Sequence, residues 1–352
     1  RRLHLQHGPI DLVIEAFGDR QEIGAAYRQA RDRFGTLLSE LVEELNVLRQ
    51  PLCDPRPDVK GPTAIRMLDA AWPHRDTFVT PMAAVAGSVA DEVMTALADR
   101  RELEKAYINN SGDISVYLTP GNTLKLGIVG QLFQPAIDGT AELSFDRAVR
   151  GVATSGWQGR SWSFGIADAV TVLAETAAAA DVTATLIANA VNADHPAVER
   201  VAASEMDDQT DLGDRLVTVN VGDLDAGTVE AALAEGMTAA QRMRDAGLIS
   251  AAVLVLMGAA LLGRLSWLVP AITAALPMLR RLPLLFRVGR AARAFQAMGA
   301  LSLRPILLME GPHLLDGEVL TGPDRGQTLK FGDLRQQPLC ALDWARHQLR
   351  KK

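Results

Sequence analysis

Leu3 and Leu5 alternate with polar residues up to His7-Gly8-Pro9, and beyond it Ile10, Leu12 and Ile14 alternate with Asp11 and Glu15. A period of two on both sides of a Gly-Pro turn predicts a β-hairpin. The period then changes. Ile23, Tyr27, Ala30, Phe34, Leu37, Leu41, Leu45 and Leu48 recur at spacings of three and four, which predicts one long amphipathic helix ending before Pro51. Asp19, with Glu22 three residues on, reads as its capping-box start. A loop rich in proline and aspartate covers Pro51 to Pro62, and helices are expected over Thr63–Ala71 and, in small residues, over Met82–Leu97.

Strands follow at Ala106–Ile108, Ile114–Leu118, Leu124–Val129, Ala141–Phe145, Val149–Thr154 and Ala169–Leu173. Glu175–Val191 reads as an alanine-rich helix, Leu216–Val221 as a strand and Gly227–Ala246 as a helix. Leu248–Leu256 reads as an apolar strand or the start of a membrane segment. The elements lack the regular alternation of a doubly wound parallel sheet, so the expected class is α+β, with mixed or antiparallel sheets and packed helices.

Composition narrows the function classes. At 48% hydrophobic and 22% charged, the 352 residues are globular in character. Aromatics at 5%, a net charge of −6 and a pI near 5.6 argue against a nucleic-acid partner. Cys53 and Cys340 are far apart without a CxxC pattern, which fits a reducing cytoplasm and excludes a thiolate zinc site within this chain. The six histidines show no metal-ligand spacing, and Walker, GxGxxG and GxSxG motifs are absent.

Four segments carry oxygen and nitrogen chemistry. Asn109-Asn110-Ser111-Gly112-Asp113 follows a strand and offers donors to a phosphate or ring edge; its plain reading is a turn made of turn-formers. Thr154-Ser155-Gly156 through Arg160 and Ser161 offers hydroxyls, glycines and a forked cation, either a phosphate cradle or an ordinary connection. Asp168 precedes a strand, and faces the same pocket or solvent. Asp181 and Thr185 stand at i and i+4, an oxygen pair suited to Mg²⁺. Left to itself, that spacing favours a helix-start carboxylate and a threonine bonded back to its own helix.

Taken in order, HGPIDLVIEA from His7, TPMAAVAGSVADEV from Thr80, INNSGDI from Ile108, ATSGWQGRSWSFGIADAVTVLAE from Ala153, AAAADVTATLIANAV from Ala177, DLGDRLVTV from Asp211 and GLISAAVLVLMG from Gly247 resemble a bacterial and archaeal ApbE-like family. It is related to ApbE, the FAD:protein FMN transferase. The resemblance runs from about Arg2 to Gly258. It places Asn110, Ser111, Gly112 and Asp113 where a GGD motif lies, with Ser111 for the first glycine, and matches Thr154, Ser155 and Gly156 to TSG. Asp181 and Thr185 match a metal-binding AD-x-x-AT helix, with a carbonyl near Ala86 as a third ligand. The resemblance therefore implies a flavin nucleotide, FAD or FMN, held with Mg²⁺, with Arg160 and Asp168 nearby. Its further implication is FMN transfer to a target protein. Two departures weigh on that step. Ala86-Gly87-Ser88 stands where transferases carry a lysine between glycines, and Ser163 to Asp168 stands in place of a histidine-bearing HIxDPxTG segment. The alternative is a non-catalytic interaction or assembly module keeping only the fold.

The chain is expected to divide into an ApbE-like domain over 1–258 and an apolar, basic, largely helical extension over 259–352 that ends in a turn-rich segment near Gly311–Phe331. From Arg264 onward there are 14 basic and 6 acidic residues, against 22 and 36 before it. Ala246–Gly263 and Leu265–Leu279 are uncharged runs of 18 and 15 residues, and arginines follow them. This pattern leads to an expectation of a cytoplasmic protein that makes weak contact with a membrane surface through its tail.

Overall fold

The computed structural model describes residues 2–128 and 139–256, together with the backbone of 307–309. The helices are α1 (Arg20–Glu43), α2 (Leu45–Leu48), α3 (Pro62–Ala71), α4 (Val85–Ala98), α5 (Ala177–Ala190), α6 (Ala203–Met206) and α7 (Ala226–Asp245). The strands are β1 (Leu3–His7), β2 (Ile10–Gly18), β3 (Leu103–Asn110), β4 (Asp113–Leu118), β5 (Thr123–Ile128), β6 (Gly139–Ser144), β7 (Gly151–Ser155), β8 (Ala169–Ala174), β9 (Val198–Ala202), β10 (Leu216–Val221), β11 (Ala251–Val255) and β12 (Leu307–Met309). Eight strands form one sheet in the order β1-β2-β3-β4-β7-β8-β11-β12, and every pairing is antiparallel. β5–β6 and β9–β10 are separate hairpins. The class is α+β, as expected.

Side-chain alternation divides the sheet. Leu12, Ile14 and Ala16 of β2 and Ala106 and Ile108 of β3 bury against α1, α3 and α4. Ala153, Val170, Val172, Ala252 and Leu254 bury against α5 and α7. The opposite face sets Val116, Val152, Leu173 and Ala251 against Leu124 and Leu143 of the β5–β6 hairpin. The central strands are thus covered on both sides. This explains why β8, with every residue buried, reads in the sequence as a plain apolar run. The same holds for the run at Leu248–Leu256: it is a sheet strand of the domain. Among the described residues no helix is long and apolar enough to cross a membrane. Residues 257–263 of the first uncharged run, the whole of the second and the arginines that follow it to 304 lie outside the described residues, as does Gly311–Phe331.

Two expectations about α1 change. Asp19 does cap it, its Oδ1 accepting from the N–H groups of Gln21 (2.7 Å) and Glu22 (3.4 Å), but Glu22 does not complete a capping box. Its carboxylate instead reaches Arg101 and the N–H of Glu102. The helix also breaks at Glu44 rather than running to Leu48. There the Glu44 carboxylate accepts from the N–H groups of Lys60 and Gly61, both at 2.7 Å, and so caps the start of α3 from a distance.

Candidate functional site

Three turns meet at one end of the sheet. Register places Gly8-Pro9, between β1 and β2, at the same end as Ser111-Gly112, between β3 and β4, because Leu12 pairs with Asn110. The segment following Ser155 and the start of β8 lie there too, since Ser155 pairs with Val170. Ser111 (φ 57°) and Gly112 (φ 116°) form a two-residue hairpin turn, with Asn110 and Asp113 paired across it. The INNSGDI loop is therefore a tight turn in conformation, and its chemistry lies in the two flanking residues.

Both of these face the helices. Asn110 is buried and donates from Nδ2 to the Ala86 carbonyl at 3.0 Å. Asp113 and Asp181 come close enough for the Asp181 charge to disfavour ionisation of Asp113. Burial, then the Asp181 charge, push the Asp113 carboxyl well above its ordinary range, and only the N–H of Thr154 pulls it down. Burial pushes Asp181 up to about 7, the Asp91 charge adding to it, against the N–H groups of Gly87 and Ala86. The Gly87 N–H lies 2.9 Å from Oδ2. Among the described residues no basic side chain takes part in setting either carboxyl.

Glycine makes this approach possible. A Cβ on Gly87 would stand 2.2 Å from the Ala177 carbonyl oxygen, and one on Gly151 would stand 2.0 Å from Thr176. Only bare backbone lets α4 and β7 close on the start of α5. Asp91, on α4 one turn beyond Gly87, then caps α5. Its Oδ2 accepts from the Ala178 N–H at 2.9 Å, and its Oδ1 from the Ala177 N–H at 3.2 Å and the Ser115 hydroxyl at 2.7 Å. Burial raises its carboxyl, and those three donors oppose the rise. Thr176 takes the Ala179 N–H at 3.1 Å, so the first donors of α5 are engaged within the protein. Sequence reasoning missed Asp91, although Gly87 and Asp91 four apart on one helix were a readable signal.

Helix position decides between the two readings of Asp181. It is the fifth residue of α5, and Thr176, the N-cap, together with Asp91 serves the first N–H groups of the helix. The threonine that bonds back to its own helix is Thr183, to Ala179 and Ala180; no protein partner is recorded for the Thr185 hydroxyl among the described residues. Asp181 and Thr185 lie one turn apart on a partly exposed face of α5.

The remaining predicted residues flank this cluster. Thr154 turns its hydroxyl to Thr171 at 2.9 Å on the opposite face of the sheet, and only its main chain reaches Asp113. Ser155, the next residue, falls on the face of Asp113 by alternation. Gly156 lies against Asp168, where a Cβ would meet the Asp168 carbonyl at 2.3 Å. Asp168 is buried, and its Oδ1 accepts from Trp157 Nε1 at 3.1 Å and Gln158 Nε2 at 3.2 Å. It shapes the loop after β7. Arg160 is exposed and donates to the Pro9 carbonyl at 2.9 Å, tying that loop to the β1–β2 turn. A shallow depression between α5 and α7, lined by Ala190, Glu235 and Arg242, contains none of these groups.

The donor set suits a hard cation. Asp113 and Asp181 supply facing carboxylates, Thr185 a hydroxyl, and Ala86 a carbonyl with a second lone pair beside the Asn110 bond. Among the described residues no group of three or more His, Cys, Asp or Glu side chains is arranged to hold a metal. Any ion here would therefore complete its shell from water or a ligand.

A family model described as AbpE bacteria matches residues 1–262. The chain belongs to that ApbE-like family. Among curated relatives it is similar to UPF0280 proteins. That of Methanothermobacter thermautotrophicus is 38% identical over 181 residues, 48% of this chain and 64% of the relative. The Methanopyrus kandleri protein is 37% identical over 145 residues, 40% of this chain and 56% of the relative. The match thus spans a little over half the length of these two. For the Methanosphaerula palustris protein the figures are 32% over 188 residues, 47% of this chain and 77% of the relative. Among solved structures, the chain is similar to the Pseudomonas stutzeri flavinyl transferase ApbE, apo form, at 13% identity and a TM-score of 0.39, over 74% of this chain and 91% of that one. For an ApbE protein of Thermotoga maritima the figures are 12%, 0.29, 55% and 88%.

Proposed function

We propose that this chain binds a flavin nucleotide, FAD or FMN, together with Mg²⁺, at the end of the sheet where Asp113 and Asp181 converge. The observation carrying the reading is that cluster: the Asp181 charge opposes ionisation of Asp113 and the Asp91 charge that of Asp181, with main-chain N–H groups but, among the described residues, no basic side chain in their interactions. Such an arrangement is costly unless a cation offsets it. Membership of an ApbE-like family supports a flavin as the ligand, and the flavinyl transferase named among the similar structures acts on that class of molecule.

Each residue has a part in the proposal. Asp181, Asp113 and Thr185 hold the cation, and Asn110 fixes the Ala86 carbonyl toward it. Bound there, Mg²⁺ would supply charge neutralisation at the nucleotide's phosphates. Ser155 and the main chain at Gly156 border the phosphates, and Asp168 holds Trp157 and Gln158 as the wall of that border. FMN transfer to a protein would be a further step of the same site, read out as AMP release from FAD in the presence of an acceptor protein.

The test is a titration of FAD with and without Mg²⁺ into wild type and Asp181→Asn. Wild type is expected to bind more tightly with the metal, and the variant to lose that increment while keeping its circular dichroism. Wild-type affinity that ignores Mg²⁺ would overturn the metal's role. Failure to retain any flavin after desalting would instead favour an interaction module that has kept only the fold.

A further inference from the structure

The two edges of the large sheet are built differently. β1, at one edge, has the sequence Leu-His-Leu-Gln-His, and polar contacts tie the edge to β2: an ion pair of Arg2 with Glu15 at 3.0 Å and a hydrogen bond between His4 and Asp11 at 2.6 Å. Polar and charged residues of this kind keep an edge from recruiting another strand. β11, toward the other edge, has no such protection. Ala-Ala-Val-Leu-Val carries no charge, proline or bulge, and four of its five residues are buried. That is the composition of an interior strand. It pairs with β8 on one side, which leaves its other side in need of a partner.

The partner comes from far along the chain. β12, Leu307-Leu308-Met309, pairs antiparallel with β11, setting Ala252 opposite Met309, Val253 opposite Leu308 and Leu254 opposite Leu307. This strand lies outside the 1–262 match of the family model. We infer that the unprotected edge of β11 is a strand-receiving surface, and that its occupant is this chain's own segment 307–309, which closes the sheet in cis. On this proposal the extension supplies an element of the domain's sheet.

The closure bears on the candidate site. The Val255 carbonyl, at the end of β11, accepts from the Asp168 N–H at 2.9 Å, and Asp168 holds Trp157 and Gln158. β11 thus lies between β12 and the main-chain bond that supports the loop after β7.

Cysteine pairs in the full-length chain test the register. In a Cys53→Ser, Cys340→Ser background, Val253→Cys with Leu308→Cys puts two thiols directly opposite, within the span that a disulfide bridges. Val253→Cys with Met309→Cys puts them one residue out of step and on opposite faces. Mild oxidation should close an intrachain bond in the first pair and leave the second open, read by non-reducing electrophoresis and peptide mapping. No intrachain bond in the first pair, equal closure of both, or bonds only between chains would each overturn the proposal. Hydrogen exchange on the unaltered chain gives an independent reading. With β12 in place the amides of Val253 and Leu254 are both protected. At an open edge, one of each alternate pair would exchange at an unprotected rate.

Discussion

Replacing Asp181 by Asn should stabilise the metal-free protein, and by an amount that grows with pH. The Asp181 carboxyl is pushed up to about 7, chiefly by burial. A carboxyl raised in the folded state contributes stability that is fully present below its unfolded pKa of about 4 and is lost as pH rises through its folded value. The rise of about 3 units sets a ceiling of about 4 kcal/mol at 1.4 kcal/mol per unit. Asp181 keeps some solvent contact and shares its repulsion with Asp113 and Asp91, and the charged form makes better use of the Gly87 donor. A recovery of roughly half the ceiling, about 2 kcal/mol, is the expected value at pH 8. That is a gain of about 4–8 °C in melting temperature for a domain of this size. Scanning calorimetry in EDTA at pH 5 and pH 8 measures it: the gap between variant and wild type should be small at pH 5 and open toward pH 8. Adding Mg²⁺ at pH 8 should raise wild type and leave the variant unmoved. A variant less stable than wild type at pH 8, or a gap independent of pH, would refute the claim that a repelled carboxylate sits there.

Three further outcomes follow, two from the packing around α5 and one from the open face of α1. Gly87→Ala forces a methyl to within 2.2 Å of the Ala177 carbonyl and should cost about 3 kcal/mol in a denaturant melt. Gly35→Ala, on an exposed face of α1 with open space around it, should gain about 0.5–1 kcal/mol in the same assay. Asp91→Ala strips the cap from two buried N–H groups and the partner from Ser115, and should destabilise by about 3 kcal/mol whether or not Mg²⁺ is present.

The elements were legible where one face alone is buried. The period of α1 and the alternation of β2 each show a single apolar side, and both ran as expected except where a remote partner intervened. At the break, the Glu44 carboxylate accepts from the N–H groups of Lys60 and Gly61, a remote contact that no local pattern announces. β9 was missed because Val198–Ala202 is only partly buried and broken by charge. At the site, Asp181 and Thr185 could be picked out because i and i+4 is a local relation. The meeting of Asp113 with Asp181 joins a sheet turn to a helix through the topology. The direction of the Thr154 hydroxyl was equally hidden. Gly151, Val152 and Ala153 are all buried, so β7 offers no alternation from which to tell its faces.

The three aspartates around the start of α5 show how one residue type acquires different work. Asp91 has three donors, the Ser115 hydroxyl and the N–H groups of Ala177 and Ala178, and it serves as an internal cap. Asp181 accepts from the Gly87 N–H at 2.9 Å, with the main chain at Ala86 also favouring its charged form, and Asp113 has only the main chain at Thr154 to favour its own. A carboxylate accepts about four hydrogen bonds when fully served, so unmet capacity grows along the series from Asp91 to Asp181 to Asp113. Unmet capacity and repulsion coincide at the last two, beside a carbonyl that Asn110 holds in place. A fold that merely needed to satisfy these positions could use asparagine or serine at lower electrostatic cost. Under the proposal above, positive charge arriving from outside the chain would offset these carboxylates, and oxygen-only surroundings would suit a small hard cation with a polyanion on its free side. The same reasoning separates the predictions for these residues. Removing charge at Asp181 should trade ligand response for stability, whereas removing the cap at Asp91 should lower stability without regard to the ion.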